Sequence, residues 1–82
     1  MGEQMTQKKF NVKKGDNSAI LKVSGQTYVR IYDEKGMLVL YDKSETTEIS
    51  AILDPGEYVV ETNGKLRSVI STIGEKGGQQ LE

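Results

Sequence analysis

The sequence predicts an all-β fold: a small antiparallel β-sandwich of about seven strands joined mainly by hairpins, with disordered termini. Three observations carry this expectation. Short segments rich in β-branched and aromatic residues recur along the chain, separated by turn residues at regular spacing. No segment holds a helical apolar period over a useful length. Asn63-Gly64, the strongest short hairpin signal a sequence can carry, separates the last two apolar segments.

Residues 1–7 are polar and aperiodic and are read as a disordered lead or a cloning remnant. Residues 8–73 are read as the single domain, and residues 74–82, with Gly74, Gly77, Gly78 and adjacent glutamines, as a flexible tail with nothing to bury. The first strand is placed over residues 10–14, where apolar and basic residues alternate, before the turn Gly15-Asp16-Asn17. The second, over residues 18–24, puts Ala19, Leu21 and Val23 on one face and Ile20 and Lys22 on the other. Gly25-Gln26 suits a two-residue type II′ hairpin into the third strand, residues 27–33.

Asp33-Glu34-Lys35-Gly36 reads as a type I turn closed by a glycine bulge, leading into residues 37–42. A polar connection over residues 43–46 precedes a strand near residues 47–53, which Asp54-Pro55-Gly56 breaks. Residues 57–62 and 65–73 then flank Asn63-Gly64. The corner Leu53-Asp54-Pro55-Gly56-Glu57-Tyr58 has its own logic. Proline fixes φ, glycine admits a positive φ, and tyrosine starts the next strand with an apolar ring and a hydroxyl able to return to the backbone.

Together with Val29-Arg30-Ile31-Tyr32-Asp33 and Gly36, this corner resembles immunoglobulin-like sandwiches of the transthyretin-like and carboxypeptidase-regulatory kind. It is equally similar to the C-terminal sorting domains of bacterial type IX secretion, over residues 11–73. The resemblance implies a sandwich without catalytic residues. It departs from the sorting pattern at its end, where a glycine-rich segment stands in place of a basic motif.

Composition narrows the chemistry. Eighty-two residues, 35% apolar and 28% charged, describe one small domain without room for an interdomain cleft. There is no Cys and no His, which removes thiolate chemistry, disulfides and the commonest general base and metal ligand. Asp54 and Glu57 flank one turn and are read as turn residues, not as a glycosidase pair, which needs a deep cleft. Asp33-Glu34 lacks the spaced acids of a calcium loop. No catalytic, cofactor-binding or metal-binding residue is therefore expected, and an enzyme is not expected.

The formal net charge is −1. Residues 1–41 carry seven basic residues against four acidic, and the remainder four against eight. The longest apolar run, residues 37–41, is far short of the roughly 20 residues that span a bilayer, so no membrane span is expected.

If Gly25-Gln26 sets a two-residue register, Val23 lies opposite Tyr28, Leu21 opposite Arg30 and Ala19 opposite Tyr32. The next turn sets Tyr32 against Leu38 and Arg30 against Leu40. One face of this three-stranded sheet then carries Ala19, Leu21, Val23, Tyr28, Tyr32, Leu38 and Leu40, interrupted by Arg30. The other carries Ile20, Val29, Ile31, Met37, Val39 and Tyr41. Two apolar faces on one sheet imply that another copy, a partner protein or the chain's own terminal segments cover one of them, another copy being the simplest case.

The expected role is a non-enzymatic interaction or assembly module that self-associates, with Tyr28, Arg30, Tyr32, Leu38 and Leu40 as its interaction residues. The alternative is a nucleic-acid-binding β-barrel in which Tyr28, Arg30 and Tyr32 stack bases beside a Lys8, Lys9, Lys13 and Lys14 arm. Near-neutral charge, and the use of lysines to protect an edge strand, weigh against that alternative.

Overall fold

The computed structural model describes residues 5–26, 28–43 and 45–74. Seven strands follow in order: β1 (Thr6–Val12), β2 (Ser18–Ser24), β3 (Val29–Asp33), β4 (Leu38–Asp42), β5 (Glu48–Ile52), β6 (Gly56–Thr62) and β7 (Lys65–Thr72). They form two antiparallel sheets, a four-stranded one in the order β1-β6-β3-β4 and a three-stranded one in the order β5-β2-β7. The described residues contain no helix. The all-β sandwich is as the sequence predicts.

The connectivity is not. Only β3 and β4 are both consecutive and paired; every other connection crosses from one sheet to the other. The expected Gly25-Gln26 hairpin does not form, because β2 pairs with β5 and β7 while β3 pairs with β4 and β6. The facing of Val23, Leu21 and Ala19 against Tyr28, Arg30 and Tyr32 fails with it. Asn63-Gly64 likewise links strands of different sheets, and neither residue has the positive φ that a type I′ hairpin requires.

The physical reason is that a turn signal reports where the backbone bends, not which strand receives it. Crossing between sheets sets Ala19, Leu21 and Val23 of β2 across the core from Val29 and Ile31 of β3, so that each sheet buries one face. Ile49, Ala51, Val60 and Val12 complete the same core.

At the crossing end two links touch. A Cβ on Gly64 would fall 2.6 Å from both the Gln26 Cβ and the Ser24 carbonyl oxygen, so glycine is needed there for close approach. Gln26 is buried, and its Nε2 donates to the Thr46 carbonyl at 2.5 Å, tying this link to the chain ahead of β5.

The β3–β4 turn forms as predicted. The Gly36 amide donates to the Asp33 carbonyl and the Asp33 amide to the Met37 carbonyl, both at 2.9 Å, with Gly36 at φ 83°. The Asp33 carboxylate reinforces it, Oδ1 accepting from the Lys35 and Met37 amides at 2.9 Å each. The corner also forms as predicted. Tyr58 is 8% exposed and its hydroxyl donates to the Asp54 carbonyl at 2.7 Å, while its ring stacks on Phe10 at 5.6 Å.

The first strand starts earlier than its alternation suggests. Thr6 and Gln7, read as part of a disordered lead, pair with Thr62 and Glu61 in β1, because a backbone ladder needs no apolar side chain. Lys13 instead opens the turn that follows, its carbonyl accepting the Asp16 amide. Gly74, assigned to the tail, donates its amide to Asn17 Oδ1 at 2.6 Å. The rest of the expected lead and tail, residues 1–4 and 75–82, lies outside the described residues.

Candidate interaction surface

The outer face of the four-stranded sheet is built by alternation. In β3, Val29 and Ile31 point into the core, which leaves Arg30 and Tyr32 outside. In β6, Tyr58 and Val60 point in, leaving Val59 and Glu61 outside. A bulge in β4 between the Ile31–Leu40 and Tyr32–Leu38 pairs then sets Arg30 opposite Tyr41 and not opposite Leu40. Two cross-strand rows result: Glu61, Arg30 and Tyr41 in one, and Val59, Tyr32 and Leu38 in the other.

Arg30 is the centre of this face. Its Cζ lies 4.8 Å from the Tyr28 ring centroid and 5.3 Å from that of Tyr41, within cation–π range of both. Its Nη1 is 3.7 Å from Glu61 Oε1, which also accepts a hydrogen bond from the Tyr32 hydroxyl at 3.1 Å. Thr62 anchors the backbone that carries the first of these rings: fully buried, it donates through Oγ1 to the Tyr28 carbonyl at 2.7 Å.

Desolvation lowers the pKa of Arg30, but Tyr32, Glu61 and Tyr28 raise it by more, so its net direction is upward and it stays a cation. Leu38 and Tyr41 are half exposed around it, and Val39 is nearly so.

Four of the five residues expected from the sequence therefore meet on this face: Tyr28, Arg30, Tyr32 and Leu38. Leu40 does not. The bulge turns it inward opposite Ile31, where it packs against the core. Tyr41 and Val39, assigned to the opposite face, take its place outside. Nothing in the sequence marks this bulge, so no signal could have found Tyr41. Glu61 was also missed; its position opposite Arg30 depends on β6 pairing with β3 rather than with β7.

The acids weighed for chemistry serve turns. The Asp33 carboxylate closes the β3–β4 turn, and at the corner it is the Asp54 backbone carbonyl, not its carboxylate, that accepts from Tyr58. Among the described residues no three Asp, Glu, His or Cys side chains are grouped to hold a metal, and no helix is long and apolar enough to cross a membrane.

No family model, curated protein or solved structure matches this chain.

The properties of the surface itself thus bear on function. It is apolar and aromatic along β4, polar toward β1 where Gln7 and Lys9 face out, and its central cation is matched by a carboxylate. The β1 lysines lie beyond β6, two strands away from Arg30.

Proposed function

We propose that this domain is a non-enzymatic interaction module that self-associates through the outer face of its four-stranded sheet. The observation that carries this reading is Arg30 held between Tyr28 and Tyr41 amid half-exposed Leu38 and Val39. Tyr and Arg dominate the energetic centres of protein interfaces. A guanidinium already stacked between rings loses little side-chain freedom on docking. Because Glu61 offsets Arg30, two copies of the face can meet without opposing uncompensated charges, as a two-fold arrangement requires. The same pairing weakens the nucleic-acid alternative, since the central cation is not free for phosphate. The likeness of the Leu53-to-Tyr58 corner to immunoglobulin-like sandwiches supports placing the domain in that architecture, whose members host many roles.

Sedimentation equilibrium tests the proposal. Wild-type protein at micromolar concentration is expected to be oligomeric, and Val39→Lys and Tyr41→Lys to be folded monomers. Leu40→Lys is expected to unfold the domain, because it forces a charge against the core. A wild-type protein that remains monomeric at the highest soluble concentration overturns the reading.

A further inference from the structure

We propose that the open seam between β1 and β7 binds an extended peptide in which acidic and apolar side chains alternate. β1 and β7 are edge strands of different sheets, and they lie side by side. At one end the seam is tied. The Lys13 amide donates to Ser71 Oγ at 2.9 Å, and the Ser71 hydroxyl donates to Asp16 Oδ2 at 2.6 Å. Toward the other end it opens into a groove of about 400 Å³.

The groove has an apolar floor and a basic rim. Phe10, Leu66 and Val69 are partly buried against the core, while Lys8, Lys9 and Arg67 are exposed. No acidic residue lines it, although the chain as a whole is net acidic. A bulge contributes to this form. Lys22 pairs with Ser68 and Val23 with Leu66, so Arg67 is the extra residue that the ladder leaves out.

An edge strand offers backbone donors and acceptors to an added strand, and the alternation of side chains along that strand supplies specificity. Apolar side chains at every second position would reach Phe10, Leu66 and Val69, and the intervening carboxylates would meet Lys9 and Arg67, with the long, exposed Lys8 chain, on the Phe10 side of β1, reaching out to them at the groove's mouth. Like charges keep a second copy's seam away, so the groove selects an acidic strand from another chain. Of its lining only Lys9 also borders the outer face of the four-stranded sheet, beside Val59 and Tyr32; Phe10, Leu66, Arg67 and Val69 lie away from the Arg30 surface.

The test uses the full chain and a fluorescein-labelled octapeptide of alternating glutamate and valine, followed by anisotropy and by amide chemical shifts. Saturable binding is expected, with shifts concentrated at Phe10, Leu66 and Val69. Lys8→Glu combined with Arg67→Glu, both at exposed positions and checked for an unchanged melting midpoint, should weaken it by at least about tenfold, as should added salt in kind. Tyr41→Lys should bind as well as wild type. Absence of saturation, equal binding of a lysine–valine octapeptide, or loss of binding in Tyr41→Lys but not in the double variant overturns the proposal. So does binding of sodium dodecanoate at the same amides when the peptide does not bind.

Discussion

The Tyr58 ring stacks on Phe10 and fills the core beneath the corner, while its hydroxyl returns to the Asp54 carbonyl four residues earlier. Truncation and removal of the hydroxyl therefore separate two contributions. Tyr58→Ala should cost on the order of 3 kcal/mol through the cavity it leaves, and Tyr58→Phe about 1 kcal/mol for the lost hydrogen bond, both read from urea denaturation. Burial, then Asp54, Asp33 and Glu34, push the Tyr58 phenol above its usual 10.0. The unfolded chain then ionises first as pH rises. Stability from this group is complete below pH 10.0 and is lost as pH climbs through the raised pKa. A melting-midpoint profile taken into alkali should fall less steeply in Tyr58→Phe. This residue was legible because proline, glycine and tyrosine stand within four positions of one another and act locally. The place of Leu40 was not, since it depends on a bulge that arises only once β3 and β4 pair.

Among the elements, two glycines matter for opposite reasons. Gly36 has φ 83° with open space around it, whereas Gly64 has no positive φ but backbone packed against it. Gly36→Ala should therefore cost about 1 kcal/mol of backbone strain. Gly64→Ala should cost more, on the order of 2–3 kcal/mol, because the Ser24 backbone and the Gln26 link would have to move apart. Chemical denaturation of the two variants checks the order, and the reverse order would mean that the β2–β3 and β6–β7 links are not in fixed contact. Strand positions were legible to within a few residues from alternation and punctuation. Strand partners were not. Asn63-Gly64 marks a bend equally well whether the chain returns beside itself or passes to the opposite sheet, and only burial of Leu21 and Ile31 on facing sides of one core decides between them.

For the whole molecule, pairing is almost entirely between segments distant in sequence. β1 is laddered to β6 and β2 to β7, so the loop-closure entropy of most of the domain must be met before those ladders form. Refolding from urea should take milliseconds to seconds, as for other sandwiches dominated by non-local pairs, and not microseconds. Stopped-flow fluorescence of the tyrosines measures this directly. Among the described residues β3 and β4 form the only hairpin of consecutive strands, and the Asp33 carboxylate contacts close its turn. An Asp33→Ala variant should slow refolding if that turn forms before the rate-limiting step.

The tie between Lys13 and Ser71, with Lys8 and Leu66 flanking the open end of the seam, means that β1 and β7 run in the same direction. The described chain accordingly starts at one end of the sandwich and leaves at the other. A tension applied between Met5 and Gly74 would draw β1 and β7 along their own lengths, in opposite senses. It would load all the ladder bonds to β6 and β2 together instead of peeling them singly. Forced unfolding depends on the unfolding rate and not on equilibrium stability, so pulling between these two points should meet a higher resistance than pulling that peels β1 or β7 away one bond at a time.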